Sequence, residues 1–420
     1  MRIVVIGAGL LGISSAYFLS QSDNEIIVID RCSGAGLETS FANGGILHPS
    51  QPSPWNSPGI LGNLIKWIGR EDSPFLLRSS ALFTLPGWGM TFLRQSTQNN
   101  FKNNQLKNVE LARYSMQVLD ELKNDTSILF DNSERGTLKL YRDQSEFDQV
   151  VIMSDSIQQA GIRLQILNAD DVIGKEPALS EIHNAIVGGI FFPDDESGDA
   201  YKYCLALTKL AKDNGVRFMY DTAVNNLIAK GKQIMMLDSS AGSIEGDIFI
   251  MAAGSYSSLL AKVIGLSLPI RPVKGYSITV TPQGWKVLPS IPVIDEFQHI
   301  AITPLGSKIR ISGTAELAGY NNSISDKRTG NIYRFFREIY PKTIGEIDKE
   351  CIEKWSGLRP YTSDGVPVLG HCGFDNLVLN TGHGHLGWTM AAGSGKLIAD
   401  LIESGNTALD LGPYSIERFN

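Results

Sequence analysis

Cysteine is scarce in this chain: four residues in 420, Cys32, Cys204, Cys351 and Cys372, with no C-x-x-C pair among them. That spacing argues against a zinc ribbon, an iron–sulfur ligand set and a disulfide framework, so no metal is expected, and it suits a reducing compartment. Positive charge is also short, with 37 Lys and Arg against 44 Asp and Glu for a net charge of −7, and no long Lys/Arg cluster or zinc-finger spacing occurs. A broad attraction to nucleic acid is therefore not expected. No stretch reaches the roughly 18 uninterrupted apolar residues of a spanning helix. Low-complexity tracts and internal repeats are missing too. What remains is an ordinary globular composition, 43% hydrophobic and 19% charged, in a chain long enough for two or three domain-sized units. Met1 to Leu19 has the outline of a signal peptide, with Arg2 ahead of an apolar run, but three spaced glycines break the run and a partner strand follows it. A soluble cytoplasmic protein is expected, and peripheral contact with the cytoplasmic face of the inner membrane stays open.

The first thirty residues carry the strongest local pattern. Arg2 to Ile6 reads as a buried strand, Gly7-Ala8-Gly9-Leu10-Leu11-Gly12 follows, Ile13 to Ser20 has helical apolar spacing, and Ile26 to Ile29 makes a second strand ending at Asp30. This is a βαβ start with a G-x-G-x-x-G turn. Gly7 allows the tight turn, Gly9 lets the backbone approach a pyrophosphate, and Gly12 permits close helix–strand packing. The helix N-terminus offers N–H groups and partial positive charge to phosphates. Asp30, 18 residues after Gly12, is placed to accept hydrogen bonds from ribose hydroxyls. NAD and FAD share this fingerprint, so it does not name the cofactor.

Farther along, Gly34 to Gly62 reads as irregular loops, rich in Gly, Ser, Asn and Pro. Helices are expected at about Asn108–Asn124, Asp199–Asn214, Gly330–Tyr340 and Trp388–Ser404. Strands are expected at Gly136–Tyr141, Gly188–Phe192, Val216–Tyr220, Lys232–Leu237 and Asp247–Met251. A β-rich block runs from Val273 to Glu316, clearest at Tyr276–Val280 and Lys308–Gly313. The pattern is α/β with α+β character: a Rossmann-like nucleotide domain interleaved with a β-rich substrate domain. Residues Ile60, Leu61, Leu64, Ile65 and Ile68 form a stripe at helical spacing. It reads as a face packed on the core, with a membrane-surface helix as the alternative.

Four further motifs, in order, resemble those of the D-amino acid dehydrogenases in the D-amino acid oxidase superfamily. They are Glu38-Thr-Ser-Phe-Ala-Asn-Gly-Gly45, Lys274-Gly-Tyr-Ser-Ile-Thr-Val280, Trp355-Ser-Gly-Leu-Arg-Pro360 and Asn380-Thr-Gly-His-Gly-His-Leu-Gly-Trp-Thr389. The resemblance implies the fold of D-amino acid oxidase and glycine oxidase. Residues 1–46, 199–267 and 351–412 would make the FAD-binding domain, and 47–198 and 268–350 the substrate-binding domain. It also implies oxidation of D-amino acids to imino acids that hydrolyse to 2-oxo acids and ammonia, with hydride passing from Cα to flavin N5 and electrons leaving to a quinone or respiratory acceptor.

The cofactor set implied is Gly7, Gly9, Gly12, Asp30, Arg31, Thr39, Ser40, Asn43, Gly44, Val224, Ala253, Gly254, Gly357, Gly384, His385, Leu386 and Gly387. Thr39 to Gly45 is a small polar loop whose backbone N–H groups can approach a flat ring, and the family places it beside the flavin. N–H groups of Gly382 to Gly387, with the dipole of the following helix, could stabilise charge on the flavin pyrimidine. Arg359 is the substrate candidate, since a guanidinium can hold an α-carboxylate through two parallel hydrogen bonds. Tyr276 could add a phenol hydrogen bond, and a core-anchored tyrosine is the competing reading. His383 and His385 invite a role as bases but read as structural, because this chemistry can proceed without an enzymic base.

Two segments depart from the family pattern and bear on the substrate. Asp295-Glu296-Phe297 is followed by Gln298-His299 in place of Tyr-Lys, and the loop after Gly45 reads Ile46-Leu47-His48-Pro49-Ser50-Gln51. D-alanine, D-proline and a hydroxylated D-proline all stay open. The neighbouring sarcosine oxidases bind FAD through a cysteine soon after the arginine motif; Tyr361-Thr-Ser-Asp-Gly-Val-Pro has none, so noncovalent FAD is expected. Two other functions stand beside the dehydrogenase: an oxygen-using glycine or D-amino acid oxidase, and a non-catalytic dinucleotide-binding redox sensor.

Overall fold

The computed structural model describes residues 1–71, 73–78, 81, 85–159, 161–285, 287–295, 297, 299–341 and 351–419. Glu296 and Gln298, singled out above, lie outside the described residues, as does the side chain of Ile65.

Short β-branched runs near both ends of the chain build one sheet of six strands. Its order is Val368–His371, Leu377–Thr381, Ile248–Met251, Arg2–Ile6, Glu25–Ile29 and Arg217–Met219. All neighbours are parallel except the first pair. Strands buried on both faces need apolar residues at every position, and residues 3–6 of Arg2–Ile6 supply them. Ile3 and Val5 face a layer formed by helices Leu10–Leu19, Ala200–Asp213 and Ala391–Ser404, while Val4 and Ile6 face the hairpin strands Val224–Lys230 and Gln233–Ser239. The N-terminal and C-terminal segments are thereby locked together.

The second sheet has nine strands and is largely antiparallel. Along its path lie Glu353–Thr362, Ile270–Val280, Lys308–Leu317, Ile300–Leu305, Val293–Asp295, Thr137–Tyr141, Gly188–Phe192 and Gln165–Asn168, with Phe75–Leu77 paired to Lys308–Leu317. Helix Asp326–Ile339 packs Ile332, Phe336 and Ile339 onto it. The mixed α/β fold with a Rossmann-like nucleotide sheet and a β-rich companion is as expected.

Three expectations need correction. Glu353–Thr362, assigned above to the nucleotide segment, belongs to the nine-stranded sheet, where it pairs with Ile270–Val280 from Ile270↔Thr362 to Thr279↔Glu353. The helix expected at 108–124 runs from Gln98 to Thr126, capped by the Thr97 hydroxyl; its polar first three turns carry little apolar signal. The stripe after Gly59 does form a helix, Ile60–Trp67, but divides its apolar residues. Ile60 and Leu64 pack inward with Trp55 and Phe75, whereas Leu61 (51% exposed) and Ile68 (45%) face out.

Candidate active site

Glycine geometry shapes one end of a single long cavity. Gly7 sits at φ +110°, and a Cβ there would lie 2.5 Å from the Ala252 carbonyl oxygen; one at Gly12 would lie 1.9 Å from the Gly7 carbonyl oxygen. Only glycine lets the strand end, the turn and the helix approach this closely. Asp30 closes the turn, accepting Ala8 N–H at 2.6 Å and Cys32 N–H at 2.8 Å, and the Ser40 hydroxyl accepts the N–H of Leu10 in the first helical turn at 3.2 Å. Arg31 pairs with Glu38 and lies 3.8 Å from the Tyr256 ring centroid.

From this turn the cavity, about 1360 Å³, runs between the two sheets to the loop before the last helix, bordered by Gly384, His385 and Gly387. Ordinary ligand pockets span roughly 300–1,000 Å³, so this one has room for a dinucleotide and a substrate together. Every residue of the expected cofactor set borders it except Gly12 and Leu386. Gly12 serves helix packing, and the Leu386 side chain is buried in the core of the helix layer.

The Thr39–Gly45 loop is held from behind. Thr39 Oγ1 donates to the Leu358 carbonyl at 2.9 Å, as does Ser255 Oγ at 2.8 Å. The carbonyls of Ala42, Asn43 and Gly44 accept from Ser277 Oγ (2.7 Å), Arg310 Nη1 (3.5 Å) and Thr303 Oγ1 (2.7 Å), all on strands of the large sheet. With three carbonyls drawn one way, planar peptides turn the N–H groups of Asn43 and Gly44 the other way, toward the cavity both residues border.

Arg359 projects into the same cavity. Its guanidinium donates to the Thr314 carbonyl at 3.3 Å and lies 5.6 Å from the Trp55 ring centroid. Among the described residues no carboxylate lies within ion-pair range of it. Burial pulls its pKa down to about 10, which leaves it cationic at neutral pH. Gly275 on the neighbouring strand makes room: a Cβ there would lie 2.5 Å from the guanidinium carbon.

Tyr276 borders the cavity too, but its hydroxyl donates to Glu316 Oε2 at 2.6 Å, and Glu316 also pairs with Arg78 and Lys274. The phenol proton is thus committed to an internal network, the core-anchored alternative raised above, and the oxygen keeps acceptor capacity beside the cavity. Both departures noted above reach the site: Ile46, His48, Ser50 and Gln51 border the cavity, as does His299, while Asp295 is buried against Arg142. Trp55 escaped the sequence reading, though its setting in Pro52-Ser-Pro-Trp55 marks a stiff loop. It stacks on Tyr361 (4.8 Å between centroids) and on His385 (5.2 Å), and its main-chain N–H donates to the Tyr361 hydroxyl at 2.6 Å.

Three buried histidines are neutral at pH 7. Burial pushes His48 down to about 4 and His383 and His385 to about 3; His383 is also tied to Ser394 Oγ at 2.9 Å. Burial likewise raises Asp195, which accepts from Ser50 and Thr137, to about 7. A histidine depressed below its ordinary pKa stabilises the fold above that value, and the benefit is lost as pH falls through the folded pKa. A carboxyl raised above its ordinary pKa acts oppositely, stabilising at low pH and losing that as pH rises to about 7. The three histidines outweigh the raised carboxyls Asp195 and Glu196, so unfolding takes up protons near pH 5 and stability should fall as pH drops from 7 toward 4.5. Urea titrations between pH 7 and 4.5 check this, and a flat profile would mean that these groups titrate normally.

A dinucleotide turn, a buried cation and the loop before the closing helix, all bordering one cavity, define a nucleotide-dependent oxidoreductase fold. The chain belongs to the FAD dependent oxidoreductase family, whose profile matches residues 2–401. It is 40% identical over 420 residues to a D-amino acid dehydrogenase of Paramagnetospirillum magneticum, covering all of this chain and 99% of the relative. It is 39% identical over 419 residues to the protein of the same name from Granulibacter bethesdensis, covering both chains fully. Among solved structures it resembles glycine oxidase from Geobacillus kaustophilus (22% identity, TM-score 0.76, 99% of this chain and 98% of that one). It also resembles L-proline dehydrogenase from P. horikoshii (19%, TM-score 0.73, 100% and 98%). These two likenesses bear on the fold alone.

Proposed function

We propose that this enzyme oxidises D-amino acids at Cα, yielding imino acids that hydrolyse to 2-oxo acids and ammonia. The observation that carries the reading is Arg359: a buried guanidinium facing the cavity, with no carboxylate among the described residues to neutralise it. Such a group asks for an anionic partner, and the α-carboxylate of an amino acid supplies one with matching bidentate geometry. The curated relatives' names favour the D series.

In this reading the chain's residues bind and orient. Arg359 holds the carboxylate, which fixes the direction of the Cα–H bond and supplies much of the rate through positioning. The indole of Trp55 and the neutral His385 wall the chamber and exclude water, and the buried His48, His383 and His385 do not compete for the carboxylate as cations. Bound FAD would supply the acceptor for the two electrons and the α-hydrogen. Its phosphates suit the Gly7–Gly12 turn, its ribose Asp30, and its ring the N–H groups of Asn43 and Gly44. Binding is noncovalent, a reading supported by the cysteines, none of which borders the cavity. The two-domain division belongs to this reading, with strand Glu353–Thr362 moved to the substrate unit.

Electrons leave to a quinone or similar respiratory acceptor. Support comes from helices Ile60–Trp67 and Pro86–Arg94, which border the cavity through Ile60, Leu64 and Phe92 and expose Leu61, Met90 and Leu93 beside Lys66 and Arg94. Apolar and basic side chains together suit a peripheral contact with an anionic bilayer. No helix among the described residues is long and apolar enough to cross a membrane.

Anaerobic mixing with a panel of D- and L-amino acids tests the substrate class: the yellow absorbance should bleach with D-enantiomers. Bleaching by none of them would leave the redox-sensor reading. Reoxidation by quinone in anionic vesicles should outpace reoxidation by oxygen, and peroxide formed at the faster rate would favour the oxidase.

A further inference from the structure

Three observations converge on Thr314, a residue outside every motif noted above. It is the extra residue of a β-bulge: Gly275 pairs with Ala315 and Tyr276 with Gly313, so Thr314 has no opposite number in the ladder. It holds φ at +60°, in the left-handed region that a β-branched side chain rarely enters. Its hydroxyl is buried without a hydrogen-bond partner among the described residues. Strain and an orphaned hydroxyl are both unfavourable, of the order of 1–3 kcal/mol each, so the position is not kept for the side chain. What the bulge achieves is to turn one carbonyl out of the ladder. That carbonyl accepts from Arg359 Nη1 at a long 3.3 Å, and Thr314 borders the cavity. A carbonyl oxygen has two acceptor sites, and a single long contact leaves capacity for a second donor. Bulges recur beside active sites because they re-aim backbone and side chains in this way.

We propose that the main-chain carbonyl of Thr314 receives an N–H of the substrate's α-amino group while the adjacent Arg359 holds its carboxylate. The pair forms one recognition unit for the two ends of an α-amino acid backbone: a cation for the acid and an acceptor, set beside it by the bulge, for the amine. Fixing nitrogen and carboxylate together sets the Cα–H bond along one line, which a carboxylate contact alone leaves free to rotate. The unit also explains why Gly275 is needed opposite, since any side chain there would displace the guanidinium from the carbonyl. The proposal rests on the amino-acid reading of the cavity and goes beyond it in assigning the amine site.

The test uses holoenzyme and two unreactive isosteres, 2-aminoisobutyrate and pivalate, whose binding is read from the perturbation of the flavin spectrum. Both carry the carboxylate, neither has a Cα–H, and only the first has the amine. Wild-type enzyme should bind 2-aminoisobutyrate about 10-fold more tightly, the scale of a hydrogen bond to a charged group. Thr314→Gly, which keeps the carbonyl, should retain that preference; deletion of Thr314 should abolish it, read as the ratio of the two affinities so that any displacement of Arg359, which affects both isosteres, cancels. To keep the test independent of how the deletion variant folds, infrared spectra of wild-type enzyme labelled with threonine carrying carbonyl carbon-13 give a second measurement, with Thr314→Ser identifying the band. That carbonyl band should shift down with 2-aminoisobutyrate and stay in place with pivalate. Equal shifts, or a preference that survives the deletion, would overturn the proposal. Failure of both isosteres to bind would instead count against the amino-acid reading itself.

Discussion

Arg359→Ala should lower kcat/KM for the best D-amino acid about 10³-fold while leaving FAD bound. Removing one member of a buried, hydrogen-bonded charge pair costs about 2–5 kcal/mol, and here the lost partner is the buried guanidinium that faces the cavity beside Trp55. The loss should appear in both parameters, since the guanidinium anchors the substrate and also aims its Cα–H bond. Flavin should stay because Arg359 is not part of the glycine turn and, among the described residues, its side chain's only direct hydrogen bond is to the Thr314 carbonyl. Arg359→Lys should recover part of the binding and little of the turnover, because an ammonium supplies charge without the planar fork. Stopped-flow reduction gives the rates, and the absorbance ratio of flavin to protein gives the cofactor content. Full activity in the alanine variant would remove Arg359 from the site.

Legibility in the sequence follows the range of the interaction. The opening βαβ unit could be read because its strands, glycines and acid lie within thirty residues, and the strand–turn–helix context is local. Arg359 was legible only through its motif: nothing in Trp-Ser-Gly-Leu-Arg-Pro announces a strand, since Gly and Pro argue against one, and the ten-residue strand there exists because it pairs along Ile270–Val280. Tyr276 was open to two readings because its partner Glu316 is 40 residues away, across a ladder whose register a bulge alters. The bulge itself leaves no trace in Ser312-Gly-Thr-Ala-Glu-Leu317, which continues a plausible strand pattern; φ at Thr314 is imposed by the strands on either side. The loop from Ala42 to Gly44 likewise reads as polar and flexible. Its orientation comes from Ser277, Thr303 and Arg310, three residues more than 200 positions away.

Gly275→Ala should fold, bind FAD and lose about 10²-fold in kcat/KM. The added methyl would fall within 2.5–2.6 Å of the guanidinium carbon and both terminal nitrogens of Arg359, and no backbone atom lies among its closest neighbours. A flexible side-chain end can yield where a backbone cannot, so the strand pairing survives and the guanidinium moves. Displacement of about 1 Å in a positioning group is enough for a loss of this size. Melting temperature should stay close to wild type, in contrast to Gly12→Ala, where the methyl would press on the Gly7 carbonyl oxygen. The two variants therefore separate positioning from architecture: one should keep the holoenzyme and lose turnover, the other should lose the holoenzyme. The double variant Gly275→Ala, Arg359→Ala makes the assignment sharper. If the methyl acts by displacing the guanidinium, it should cost nothing further once that group is gone, and steady-state kinetics on the four proteins measure the coupling. Fully additive losses would mean that Gly275 acts through some other contact.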